Sequence, residues 1–164
     1  MRAYFVISCL ALGFLLGGCA SYQATQAPNS QLSRYTHIFV ENNLDDNHQI
    51  DQMLVSSLRS RGIQAESGPN TLVPDEAQAI LSYQDHWNWD FSDHLVGLSI
   101  QLRDARKSKP LAIANFTGPV SITKSAQQIC DTTVTKLLTS KPVKLPPPPP
   151  AKPKSDQVDP SSKK

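Results

Sequence analysis

Apolar and polar residues alternate from Ala79 to Phe91, and this alternation constrains the fold more than any other feature of the sequence. A period of two predicts a β-strand with one buried face and one solvated face. The alternation returns after a short polar turn, where the apolar positions are Val96, Leu98, Ile100 and Leu102. A third apolar run, residues 111–117, follows a charged turn. Three such runs joined by turns predict an antiparallel meander.

A strand–helix–strand unit precedes the meander. Residues 35–41 and 63–66 are predicted to be strands, and the segment between them carries apolar residues at helical spacing before a glycine stop at Gly62. Three consecutive residues offer N-cap side chains for this helix, namely Asp45, Asp46 and Asn47. The order strand–helix–strand favours a parallel pair of strands with a right-handed crossover.

A second helix is predicted after the meander. Ser125 and Gln128 match a capping box, and an apolar stripe runs from Ala126 to Leu138. Four or five strands and two helices predict an α/β (α+β) fold, in which both helices pack on one face of a mixed sheet. The opposite face is then expected to be the more polar one.

Composition divides the chain into four segments: an apolar leader over 1–18, a tether over 19–33, a domain over 34–139 and a tail over 140–164. The tether is polar and lacks apolar periodicity, so it is expected to be flexible. The domain holds nearly all aliphatic and aromatic residues, which is about 105 residues and enough for one small core. The tail carries eight of the 13 prolines and no aromatic residue, and this composition is typical of disorder.

Charge follows the same division. Residues 20–139 contain nine Lys or Arg and twelve Asp or Glu, a net charge of −3, while the tail has six Lys and two Asp, a net charge of +4. The domain shows no basic stripe or face, so nucleic acid is not expected as its partner. A run of prolines, 146–150, predicts a polyproline II rod flanked by lysines.

The leader ends in a short motif with a specific chemistry. One basic residue, Arg2, precedes about 13 mainly apolar residues, which is the length of a signal peptide and shorter than the roughly 20 of a bilayer-spanning helix. The run closes on Leu16-Gly17-Gly18-Cys19. This motif resembles the lipobox of bacterial lipoproteins.

The resemblance implies a lipid anchor at Cys19. The mature chain would begin at Cys19 and carry acyl chains, palmitate among them, that give stable attachment to a membrane. Ala20 follows where an Asp would imply retention in the inner membrane, so the resemblance implies the outer membrane of a Gram-negative host, with the domain facing the periplasm. No other cofactor is expected.

Two further resemblances concern the domain. The stretch 83–91 and the stretch 98–105 are similar to segments of small Gram-negative outer-membrane lipoproteins. The order of elements also resembles, at the level of the fold alone, the lipoproteins that activate penicillin-binding proteins and the N-terminal domain of TolB. A likeness of fold carries no functional residue with it.

Candidate reactive residues are few. Cys130 is the one thiol left after Cys9 and Cys19 are accounted for, and its place on an apolar stripe predicts buried filler rather than a redox site. His86 and His94 lie among carboxylates and are weak candidates for a metal site, since imidazole and carboxylate suit zinc. No standard catalytic motif is present, so no catalytic residue is assigned.

Trp87 and Trp89 are the candidates for a partner contact. They either face the core or form an exposed aromatic patch, and aromatic residues are favoured anchors of interfaces. Asp85 is unusual on the apolar face of this strand and is expected at an edge or beside Arg103 or another cation.

The sequence therefore predicts a lipid-anchored, non-enzymatic envelope protein that binds another envelope protein as an accessory or adaptor. One alternative is a metal-binding protein or enzyme centred on His86 and His94. Another is a structural link whose basic, proline-rich tail contacts peptidoglycan.

Overall fold

The computed structural model describes residues 20–89, 91–119 and 124–142; the predicted signal peptide, Cys19 and tail residues 143–164 lie outside this range. The described part has six strands: β1 (Ser21–Gln26), β2 (His37–Glu41), β3 (Gln64–Gly68), β4 (Ala79–Trp89), β5 (Asp93–Asp104) and β6 (Pro110–Thr117). Its helices are α1 (Ile50–Arg59) and α2 (Ala126–Leu138), with short 3-10 turns at Leu32–Arg34 and Asn70–Leu72. Within these residues, no helix has the length and apolar character needed to cross a bilayer.

All six strands form one sheet in the order β1-β6-β5-β4-β2-β3. β2 runs parallel to β3 and to β4, whereas the pairs β1–β6, β6–β5 and β5–β4 are antiparallel. The predicted mixed α+β class is confirmed, with its parallel strand–helix–strand unit and its antiparallel meander. The predicted count of four or five strands is too low.

One strand, β1, lies in the segment predicted to be a flexible tether. Ser21–Gln26 pairs with β6 along its whole length. Tyr22 and Ala24 pack against the buried core, and the ring centroid of Tyr22 lies 4.9 Å from that of Phe116. The prediction of a tether over 19–33 is therefore wrong for these residues. Their alternation is so short and so polar that its period gives almost no signal.

Both helices pack on one face of the sheet, as predicted, and contact each other. α2 begins with the predicted capping box, complete in both hydrogen bonds between Ser125 and Gln128. Each fully buried aliphatic side chain contributes about 1.5–3 kcal/mol relative to exposure. The most deeply buried aliphatic side chains are Ile38, Val40, Leu81, Leu98, Ile100 and Leu102 from the strands and Ile50, Leu54, Leu58, Val134 and Leu137 from the helices.

α1 is capped from a residue upstream of its own N-cap. Gln49 has a left-handed backbone with φ 60° and gives no side-chain cap. Asp46 Oδ2 instead accepts the backbone N–H of Ile50 at 2.7 Å and that of Asp51 at 3.3 Å. Beyond the helix, Gly62 has φ +77°, as the predicted glycine stop requires.

A bulge near the end of the β4–β5 pair changes which residue of β5 faces the helices. Gly97 lies opposite His86, but Leu95 lies opposite Trp87, so Val96 is the extra residue. Leu95 is buried in the core in its place. The prediction that Val96 belongs to the apolar face is wrong, because the bulge interrupts the period of two.

The face of the sheet away from the helices is mostly polar, as expected. Exposed side chains on it include Gln84, His86, Gln101, Asn115 and Thr117. A small apolar pair, Phe39 and Ile80, is buried within this face where β2 meets β4. The other described residues of this face are exposed or half-buried.

The two ends of the sheet differ in which parts of the chain they carry. Ser21, the first residue of β1, lies in one row with Gly97 of β5. β4 and β5 continue past this row as far as Trp89, so their hairpin projects beyond the start of β1; we call this the hairpin end. At the opposite end, Gln26 of β1 bridges to Pro142, which follows α2. The chain thus enters the domain at the hairpin end and leaves it at the opposite end.

Candidate functional site

The two tryptophans predicted as a contact pair have different surroundings. Trp87 faces the helix side of the sheet, and its ring stacks on that of His48 with centroids 3.7 Å apart and planes inclined by 15°. Trp89, two residues further along β4, is 72 % exposed. Each of the two predicted alternatives therefore holds for one residue: Trp87 packs against the core, and Trp89 is accessible to a partner.

Trp89 and Phe91 form an exposed aromatic pair at the tip of the β4–β5 hairpin. Phe91 is 94 % exposed, and the two ring centroids lie 6.3 Å apart. The backbone of Phe91 has φ 58°, a left-handed conformation that costs a residue with a side chain roughly 1–2 kcal/mol. A phenylalanine that is strained and almost fully exposed adds little to the packing of the domain.

Asp85 has a partner other than the one expected. Arg103 forms its ion pair with Glu41, at 3.1 Å, so the expected contact between Asp85 and Arg103 is wrong. The indole N–H of Trp87 donates to Asp85 Oδ2 at 2.6 Å instead. This bond lets a carboxylate lie on the apolar face of β4, since a buried charge needs a hydrogen-bond donor.

A cluster of titratable side chains, Asp46, His48 and Asp85, lies beneath the hairpin. One ligand atom from each residue falls within 4.8 Å of the others. Nε2 of His48 also lies 3.3 Å from Asp93 Oδ2, while its Nδ1 is buried and no described residue donates to it or accepts from it. Among the described residues this is the one group whose spacing could hold a metal ion. One imidazole and two carboxylates suit a divalent cation such as zinc.

Asp46, however, is already satisfied by donors from the protein. Besides the first turn of α1, its carboxylate accepts the backbone N–H of His48 at 2.7 Å and the hydroxyl of Tyr83 at 2.7 Å. Burial alone would raise the pKa of Asp46, but these hydrogen bonds outweigh it and hold the pKa below its ordinary value. Burial and the bond to Asp46 raise the pKa of Tyr83. Asp46 thus acts as a charged cap that fixes the start of α1 against β4.

His86 and His94, the predicted weak metal candidates, lie outside that cluster. His86 is exposed on the polar face of the sheet. His94 lies opposite Asn88, and its Nε2 is 2.9 Å from the hydroxyl of Ser92. The sequence does not indicate that His48 lies near β4, because the two are far apart along the chain and the loop before α1 brings them together only in the fold. The available signal was Asp85, the one charged residue on the apolar face of β4.

Cys130 is fully buried among the hydrophobic residues of α2, which confirms its prediction as apolar filler. Burial, with a smaller contribution from the nearby carboxylate of Asp131, raises the pKa of its thiol to about 12. The thiolate is the reactive form of cysteine. Cys130 is therefore inert at neutral pH in the folded domain.

Comparisons with known proteins identify a fold and no family. No protein-family model matches the chain, and no curated protein matches its sequence. The PelC dodecamer from Paraburkholderia phytofirmans is 18 % identical, with a TM-score of 0.52 over 73 % of this chain and 96 % of PelC. TolB from Acinetobacter baumannii is 16 % identical, with a TM-score of 0.44 over 74 % of this chain and 31 % of TolB. A minor lipoprotein from Acinetobacter baumannii is 12 % identical, with a TM-score of 0.34 over 63 % of this chain and 89 % of that lipoprotein. At these identities the likeness extends to the fold alone, and the fold is that of PelC.

Proposed function

We propose that this chain is a lipid-anchored, non-enzymatic accessory protein of the cell envelope, an adaptor that binds another envelope protein. Cys19 carries the lipid, and the domain faces the periplasm at the outer membrane. The lipobox supports the anchor. The separation of the two chain ends supports the role of an adaptor.

Those ends leave the domain in opposite directions. Only Ala20 separates Cys19 from β1, which begins at the hairpin end. The tail begins after Pro142, beside the last residue of β1. A strand of six residues spans about 20 Å. The domain therefore separates the lipid from the tail, and a tail in an extended polyproline conformation would reach some 60–75 Å further into the periplasm.

The reactive groups within the described residues serve packing and capping, which supports contact rather than catalysis. Cys130 is buried, and Asp46 is occupied by protein donors. Within the described residues, the outer edges of β1 and β3 are also unpaired along most of their length, and edge strands are sites where further chains pair. Because PelC is a dodecamer, a second copy of this chain is one partner to be tested.

Crosslinking in intact cells tests the adaptor proposal. The full chain is compared with a chain that ends at Pro142 and with one whose residues 143–164 are replaced by a Gly/Ser segment of equal length. We expect one discrete adduct with an envelope protein from the full chain, lost in both variants. The full-length Gly/Ser control separates the chemistry of the tail from its reach. Failure to recover any discrete adduct from the full chain would contradict the proposal.

A second candidate function is a structural link to peptidoglycan. The net charge of +4 in the tail and its departure from the end opposite the anchor favour this role. Purified sacculi should retain the full chain and release it as salt is raised, because the attraction is electrostatic. Equal retention without residues 143–164 would refute this candidate.

The rival proposal, a metal-binding protein or enzyme, is tested at a different histidine from the one expected. Native mass spectrometry after incubation with zinc compares the wild type with His48→Ala and with His86→Ala. A bound ion lost only in His48→Ala would support the rival at the Asp46–His48–Asp85 cluster. An apo spectrum of the wild type would remove the metal-binding version of this rival.

A further inference from the structure

The exposed aromatic pair at the hairpin tip lies at the end of the sheet where the chain enters the domain. Ser21 is level with Gly97, and Trp89 lies about three residues further along the sheet. At about 3.3 Å per residue, the tip stands some 10 Å beyond the start of β1. Two residues of extended chain from Ser21 back to Cys19 span at most about 7 Å.

This geometry leaves little distance between the anchor and the tip. If residues 19–33 were a flexible tether, the domain could drift from the membrane. Because β1 starts at Ser21 and is paired throughout with β6, the attachment point is fixed to the sheet itself. When the strands run along the membrane normal, a lipid on Cys19 therefore brings the bilayer surface to the level of the hairpin tip.

We propose that the tip of the β4–β5 hairpin contacts the bilayer, with Trp89 and Phe91 seated among the lipid headgroups as a second, non-covalent attachment. The proposal rests on the lipid anchor of the proposed function. It assigns to these two residues a lipid surface in place of a protein partner.

The chemistry of the tip fits a membrane interface. Trp is enriched at the boundary between headgroups and acyl chains, where its ring is partly apolar and its N–H stays hydrated. Trp89 and Phe91 are the exposed large aromatics among the described residues. The backbone of Phe91 has a strained left-handed conformation, and its apolar ring is almost fully exposed. A lipid surface accepts such rings without a shaped pocket.

A basic residue lies at the same end of the domain. The ammonium group of Lys124 lies 5.2 Å from the ring centroid of Tyr22, the second residue of β1. A lysine close to the attachment point can pair with lipid phosphate. Together, the tip and Lys124 would hold the sheet upright on the membrane and direct Pro142 towards the periplasm.

Site-specific fluorescence tests the contact. Phe91→Cys and Lys107→Cys are matched variants, since both replace exposed residues in hairpin turns at opposite ends of the sheet. The lipid occupies the thiol of Cys19, and Cys130 is buried, so a nitrobenzoxadiazole label reacts at the new thiol alone. The acylated full chain is reconstituted into vesicles of phosphatidylethanolamine and phosphatidylglycerol, with and without spin-labelled lipid as quencher.

We expect spin-labelled lipid to remove most of the fluorescence at position 91 and to leave position 107 unchanged. Vesicles that float with the protein while position 91 is quenched no more than position 107 would overturn the tip contact and leave the anchor standing. A protein that lacks the acyl mass and does not float would refute the anchor and the tip contact together. In cells, the photo-crosslinker benzoylphenylalanine at position 91 identifies what this position contacts. Adducts with lipid are expected. A discrete adduct with a protein instead would overturn the proposal in favour of a protein partner.

Discussion

Neighbouring residues of similar type have opposite roles in this domain, and their contacts decide which role each has. Trp87 and Trp89 share a face of β4, but Trp87 stacks on His48 and donates to Asp85, while Trp89 is exposed. Tyr22 and Tyr83 differ in the hydrogen bonding of their hydroxyl groups. The hydroxyl of Tyr83 donates to Asp46, whereas that of Tyr22 is buried and has no partner within the described part of the chain.

The two tryptophans should therefore respond differently to the same substitution. Trp87→Leu removes a packed ring and leaves Asp85 without its donor, so we expect the free energy of unfolding to fall by about 2–4 kcal/mol. Trp89→Leu should change it by no more than about 0.5 kcal/mol, since exposed positions rarely matter for stability. Urea titrations followed by circular dichroism measure both. Equal losses would show that Trp89 is also part of the core.

The bond between Tyr83 and Asp46 predicts a dependence of stability on pH. Because the pKa of Asp46 in the folded state lies below its value in the unfolded state, its contribution is present above about pH 4 and is lost as the pH falls further. Tyr83→Phe removes one bond that lowers this pKa. We expect it to cost about 1 kcal/mol or more at pH 7 and progressively less below pH ~4.

Tyr22→Phe is the matched control for that experiment. It deletes a buried hydroxyl that has no hydrogen-bond partner among the described residues, so stability should stay equal or rise at every pH. Denaturant midpoints measured between pH 3 and pH 7 give the stability of both variants and of the wild type. A loss in Tyr83→Phe that does not depend on pH would mean that Asp46 is not the group concerned.

Cys130 allows a test of burial by reactivity. With its pKa raised to about 12, the thiol should resist alkylation by iodoacetamide at pH 8 in the folded domain and react readily in urea. Mass spectrometry of the peptide that contains Cys130 gives the extent of reaction, with the mass of the carbamidomethylated thiol as readout. Rapid alkylation without denaturant would show that α2 detaches from the sheet.

At the scale of elements, the sequence predicts what local patterns encode and misses what pairing across the chain decides. The capping box of Ser125 and the glycine stop at Gly62 are local, and both are confirmed. The pairing of β1 with β6, the bulge at Val96 and the approach of His48 to Trp87 depend on contacts between distant segments. Each is stabilised only in the assembled sheet, so the period of a short segment does not reveal it.

If β1 is a strand of the sheet and not a flexible tether, substitutions within it should change the stability of the domain. Tyr22→Asp places a charge against the core, and we expect it to lower the free energy of unfolding by about 2 kcal/mol or more. Gln23→Asp, one residue along β1 and on the polar face, should be nearly neutral. Hydrogen exchange of the β6 amides should report the same contrast. If both variants are as stable as the wild type, β1 does not contribute to the fold in solution.

At the scale of the whole molecule, the described chain begins at one end of the sheet and finishes at the other, and the net charges of the domain and the tail have opposite signs. The domain has a net charge of −3 over residues 20–139 and lies between the proposed lipid anchor, which adjoins the hairpin end, and a tail of net charge +4 that follows Pro142 at the opposite end. The account as a whole depends on Cys19 being the anchor.

The mass of the mature N-terminus tests that claim most directly. The protein is recovered from the membrane fraction of its host, alongside a Cys19→Ser variant as control. The account predicts an N-terminal peptide that starts at Cys19 and carries a diacylglyceryl group with a further acyl chain, and a control that is neither cleaved at that site nor acylated. An N-terminal peptide that begins elsewhere, or a Cys19 without lipid, would contradict it.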